Sequence, residues 1–185
     1  MKYVRCKVCG YIMEADKVKD KCPACGLQKQ VFEPYTMKLS PKRKWLIDQH
    51  VHPIAVHFPQ VFIALLLILP IFARLSPDAI LTTKFLAAFE LTIWAFPFAV
   101  LGGFLTGLFD GKLRFKRLNP PLLIAKTIAG IVLQLISIAI LGIYLASGLT
   151  DSAINWIMFL AVLGTICSIY LGKIGSSLFE SFLPG

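Results

Sequence analysis

The 185-residue chain is 57% hydrophobic and 16% charged, with a formal net charge of +9 and a mean hydropathy of +0.73. These values exclude an ordinary water-soluble globular domain and read as a membrane protein. The charge is uneven: residues 1–50 hold 11 of the 19 Lys and Arg and five of the ten acids, so a polar, basic segment precedes a lipid-soluble remainder.

The first element in the chain carries the clearest chemistry. Cys6-Lys-Val-Cys9-Gly-Tyr and Cys22-Pro-Ala-Cys25-Gly are two CxxC knuckles separated by 12 residues. Four thiolates at that spacing make a closed tetrahedral site for iron or zinc. A disulfide framework is the rival, disfavoured in a cytoplasmic compartment that keeps thiols reduced. Gly10 and Gly26 directly follow the knuckles, where positive φ lets backbone amides point at the sulfurs. The metal also stands in for a core, since about 35 residues cannot bury enough apolar surface alone. The stretch YVRCKVCGYIMEADKVKDKCPACGLQKQVFE resembles the short rubredoxin-like module of rubrerythrins over residues 2–34. That resemblance implies one iron held by Cys6, Cys9, Cys22 and Cys25, single-electron transfer, and Tyr3, Tyr11 and Phe32 packed around the metal. The residues alone leave a zinc ribbon open.

MKYVRCKVCG lacks an apolar h-region, which predicts no signal peptide and a cytoplasmic N-terminus. Residues 36–50 form a basic interfacial linker, in which SPKRKWLID starts a helix with Ser40 as N-cap, Pro41 at the first helical position and Trp45 at headgroup depth. Lys42, Arg43 and Lys44 suit anionic lipid. Four apolar segments of spanning length follow, at about 54–75, 80–109, 121–148 and 153–178, divided by SPD at 76–78, NPP at 119–121 and SGLTDS at 147–152. Lys42, Arg43, Lys44, Lys112, Arg114, Lys116, Arg117 and Lys173 fall on one side, against Arg74 and Lys84 on the other, so both termini are expected in the cytoplasm of a prokaryote, with the chain in its inner membrane. The expected architecture is a small rubredoxin-like knuckle domain of short strands and loops (1–35), the linker (36–50), and an all-α four-helix transmembrane bundle (51–185).

All three histidines lie in HVHPIAVHFP, residues 50–59. HPIAVHFPQVFIALLL resembles the start of an uncharacterised prokaryotic four-helix membrane domain with an HPxxVHFP signature entering its first span, and the resemblance implies electron transfer alongside haem and other redox domains. With Pro53 in the first turn, His52 is expected at or near the N-cap and His57 inside the helix, about 140° around from it. One helix turn cannot place both imidazoles on opposite sides of a haem plane. What remains is a haem b with one ligand from this cluster, a haem shared in a homodimer, a mononuclear metal, or a quinone hydrogen-bonded by His57 or His52. Against this stands a plain structural role, with His52 capping, His50 solvated and His57 bonding a neighbouring helix. Asp110 can pair with His57 or Lys126, and Glu90 can be a proton site or a structural hydrogen bond. Gly102, Gly103, Thr106 and Gly107 have the spacing of close helix packing, and Cys167 reads as packing.

These residues point to a membrane-anchored electron-transfer protein, an electron carrier or oxidoreductase component rather than a stand-alone enzyme. Its partners would be the lipid bilayer and a soluble or membrane redox protein. No nucleophile–base pair or phosphate loop supports hydrolysis or nucleotide chemistry, and positive-inside loops explain the net charge without nucleic acid. Two other readings remain: a zinc-ribbon protein-binding module on a membrane anchor, and a small transporter using Glu90, Asp110 and Lys126.

Overall fold

The computed structural model describes residues 3–36, 40–116 and 120–180; Arg117, Asn119 and part of the linker lie outside these. The chain divides into two compact units at Lys44/Trp45.

The first unit is a three-stranded antiparallel sheet of order β2-β1-β3, with β1 (Tyr3–Cys6) between β2 (Ile12–Glu14) and β3 (Phe32–Tyr35). Tyr3 pairs with Glu14 on one side, and Arg5 with Glu33 and Cys6 with Phe32 on the other. Direct opposition brings the Arg5 guanidinium onto Glu33 Oε1, donating from Nε at 3.0 Å and Nη2 at 2.6 Å, a cross-strand pair that fixes register. Among the described residues of this unit only Cys6 and Cys22 are buried. Its interior is therefore sulfur rather than hydrocarbon.

Helix α1 (Pro41–Asp48) starts as the sequence predicts, with the Arg43 amide donating to Ser40 Oγ at 3.4 Å and the Lys44 amide to Ser40 O at 3.0 Å. The second unit is built on α3 (His57–Leu75), α4 (Ala79–Phe115), α5 (Pro121–Ser147) and α6 (Asp151–Glu180), preceded by the short α2 (Val51–Ala55). Helix α3 packs on α4 and α6, and α5 on the same two, closing a four-helix ring. Among the described residues four helical runs, Lys42–Leu75, Ala79–Phe115, Pro121–Ser147 and Asp151–Ser176, are long and apolar enough to cross a membrane. Their outward residues, such as Leu91, Phe98, Leu135 and Ile169, are exposed and apolar, while Leu66, Phe89, Ile93, Phe96, Ile140 and Ile157 fill the interior. Between apolar helices in lipid, close packing rather than water exclusion supplies the attraction, and small residues permit it. A Cβ on Gly130 would stand 2.6 Å from Phe104 Cδ2, and one on Gly164 2.7 Å from Ile63 Cδ1.

Two boundaries differ from the sequence reading. The first apolar segment is irregular at the histidines: at Val56, whose backbone stays in the right-handed helical region (φ −70°, ψ −15°), the hydrogen-bond pattern is interrupted between α2 and α3, because Pro59 has no amide to donate to the carbonyl of Ala55. The second does not stop at 109 but continues to Phe115. Asp110 and Arg114 are four residues apart on that extension and pair at 2.8 Å, a spacing that supports helix beyond the apolar stretch, until Lys116 ends it with φ 60°.

Candidate metal centre and the histidine segment

Each knuckle folds by the same local rule. Cys6 O accepts from the Gly10 amide at 2.9 Å and Cys22 O from the Gly26 amide at 2.8 Å, while the Cys6 amide donates to Tyr11 O and the Cys22 amide to Leu27 O. Both glycines have φ 75°, which a side chain would strain. The turn so made aims amides at sulfur, as the sequence predicts: those of Cys9 and Val8 at Cys6, that of Tyr11 at Cys9, those of Cys25 and Ala24 at Cys22, and that of Leu27 at Cys25. Three amides per knuckle, in matching positions, give the site a pseudo-twofold form.

The four Sγ atoms lie within 4.8 Å of one another and could hold a metal ion. Cys6 and Cys25 are 3.8 Å apart, and Cys9 and Cys22 3.7 Å. A tetrahedron with sulfur ligands at about 2.3 Å has edges of about 3.8 Å, so the sulfurs are spaced to fit one iron or zinc. The thiols are electrostatically unequal. The amide of Cys9 brings Cys6 down to about 7. Cys9, despite the pull of the Tyr11 amide, is pushed up to about 12 by desolvation and by the other three sulfurs. Cys6 and Cys22 are buried whereas Cys9 and Cys25 are exposed, so one edge of the centre faces outward. Of the three aromatics, Phe32 stands opposite Cys6 across the sheet, whereas Tyr11 is 42% exposed and serves the centre through its backbone.

In the second unit the histidines separate into three environments. His50 is exposed at φ 52°, with its Nδ1 2.6 Å from Asp48 O. His57 is the first residue of α3 rather than an interior one, and its ring is exposed, with Nδ1 2.7 Å from Pro53 O. His52 is the histidine turned into the bundle. Its Nε2 lies 3.0 Å from Lys126 Nζ on α5 and its Nδ1 3.4 Å from Thr106 Oγ1 on α4. An ammonium only donates. With Lys126 as an ammonium, His52 Nε2 is the acceptor and Nδ1 carries the proton, and the Thr106 hydroxyl donates to Gly102 O at 2.8 Å. Gly107 makes room, since a Cβ there would stand 2.9 Å from His52 Cε1.

Asp110, expected near His57 or Lys126, pairs with Arg114. It does share one cavity of about 480 Å³ with His52, His57, Arg114 and Lys126. Glu90 accepts a short hydrogen bond from the Tyr144 hydroxyl, whose ring meets Trp94 edge-on at 6.2 Å. Cys167 donates to Ala129 O at 3.2 Å. The contact the sequence reading missed is Lys126 with His52, 74 residues apart. Its one signal was a lysine inside an apolar helix, which calls for a buried partner.

The first unit is thus a strand-and-loop knuckle with four cysteines, joined to four helices of membrane-spanning length. Residues 5–33 match the family model of the rubrerythrin, rubredoxin-like domain. No curated protein and no solved structure matches the chain.

Proposed function

We propose that this chain is a membrane-anchored electron carrier whose Cys6, Cys9, Cys22 and Cys25 hold one iron, and which exchanges single electrons between a soluble donor and a quinone or haem near His52 and His57. The observation that carries this reading is the sulfur tetrad itself: edges of 3.7 and 3.8 Å, in a rubredoxin-like module fused to four spanning-length helices. Iron held there would supply a one-electron couple. The residues of the chain do the rest. Six amides offset thiolate charge without needing to move, and exposed Cys9 and Cys25 bring the sulfur orbitals to the surface where a partner can approach. A zinc-ribbon binding module would use the same ligands, but a recruiting module has no need of a membrane domain with a half-buried histidine–lysine contact.

The basic residues of the loops favour both termini in the cytoplasm of a prokaryotic inner membrane, and selective labelling of Asp151→Cys from the outside tests that orientation. A haem would take one ligand from this histidine cluster and the other from elsewhere, which favours a homodimer. His57, with Nδ1 held by Pro53 O, keeps Nε2 open for that role. The test is reoxidation. Protein reduced with dithionite in proteoliposomes, freed of excess reductant, should lose its electrons within seconds of adding a quinone, with two iron centres oxidised and two protons taken up per quinol formed. Iron that stays reduced with quinones, and with membranes containing haem proteins, contradicts the reading.

A further inference from the structure

The cavity beside His52 has a polar end and an apolar body. Among the described residues its charged lining consists of Asp110, Arg114 and Lys126. Arg114 takes the carboxylate of Asp110 at 2.8 Å, and Lys126 is left with a neutral histidine, which uses one of its three N–H groups. Open ammonium donors inside a spanning bundle are costly unless an acceptor meets them.

The remaining wall is mostly hydrocarbon, and on α6 Gly172 and Gly175 leave it open, with nothing within 4 Å of where a Cβ would stand. A volume of about 480 Å³ lies within the usual range for small-molecule sites. The occupant these features require has an oxygen acceptor at its head and an apolar body. Fatty carboxylates and quinones share that chemistry. Phe104 and Phe115 in the wall favour a flat conjugated ring, which can stack or pack edge-on against them.

We infer that this cavity binds a quinone, one ring carbonyl accepting from Lys126 Nζ, with His52 as a positioning residue that holds the ammonium at the polar end. The site rests on the electron-transfer reading for its choice of a redox ligand, and it moves the contact residue from the histidines to Lys126. His52 is fixed in turn by Thr106, so the chain Lys126–His52–Thr106–Gly102 aims the donor from α5 across to α4.

The test is equilibrium binding of a short-chain ubiquinone analogue to the full-length protein in detergent, followed by calorimetry. The wild type should saturate at one quinone per chain, and Lys126→Met should weaken binding at least tenfold. That substitution removes a charge from a spanning helix, so insertion should not suffer. Gly107→Ala, whose Cβ would press on the His52 ring at 2.9 Å, should weaken binding several-fold while Lys126 stays in place. Binding that is unchanged in Lys126→Met overturns the site. So does a Lys126-dependent affinity for laurate with none for the quinone. Repeating the titration on Cys22→Ser separates the two proposals: quinone should still bind there, so a failure of electron transfer leaves this site standing, and a failure of binding leaves the iron centre untouched.

Discussion

The two units of this chain reach a fixed interior by opposite means. In the first, the buried side chains are cysteines, and the geometry around them is set by backbone amides and two positive-φ glycines. In the second, the buried cluster is mostly Leu, Ile and Phe, and helices approach where glycine faces a ring or a methyl. A short polar segment can gain from metal–sulfur bonds what it lacks in apolar surface, whereas helices in lipid gain nothing from hiding from water and depend on shape. The units should therefore fail independently and under different insults.

The largest expected effect is on the first unit alone. Cys22→Ser removes a buried ligand and with it about 10 kcal/mol of metal-coupled folding. Elemental analysis should find the metal lost and circular dichroism should find the helical signal intact. Loss of both would mean that the bundle depends on the knuckles.

Acid should act in the same direction. Metal binding needs four thiolates, yet in the metal-free module Cys9, pushed up to about 12, keeps its proton at neutral pH, and Cys6, brought down to about 7, gives its proton up more readily. Metal entry must displace those protons, so affinity should rise with pH, by about tenfold per unit for each proton released. Between pH 8 and pH 6, as Cys6 is reprotonated, it should fall. Competition with a chelator across that range measures it, and a flat profile would show that the tetrad is already fully ionised.

Phe96→Ala reverses the comparison. Phe96 is fully buried in the bundle, and truncation should cost about 2–3 kcal/mol, below the figure for a soluble core because transfer out of water is not part of the balance. Thermal unfolding of the helices should shift down with metal content unchanged. The smallest effect is expected from Gly130→Ala. Its Cβ would meet the Phe104 ring at 2.6 Å, and the ring must turn aside at a cost of about 1–2 kcal/mol, again without touching the metal.

What could be read from the sequence was local. CxxCG states both the ligands and the turn that aims amides at them, and an apolar run of spanning length states a helix. Contacts between distant elements were out of reach. Nothing near Lys126 says that His52 will meet it, nor does the spacing of Asp110 decide between a partner on another helix and Arg114 one turn away. The irregularity at Val56 was hidden for a different reason: two prolines six residues apart were both compatible with a first turn, and the missing amide of Pro59 interrupts the hydrogen-bond pattern there. His52 faces inward and His57 is exposed, which suits two rings about 140° apart on one helix, but which of the two would face the bundle could not be read from the sequence.

The central claim is a redox metal in the knuckles, and one optical spectrum of the detergent-purified protein tests it most directly. After native anaerobic expression, with metal content measured on the same sample, we expect one iron per chain and visible ferric–thiolate absorption that bleaches on reduction and returns on oxidation. A colourless protein carrying one zinc per chain would contradict it.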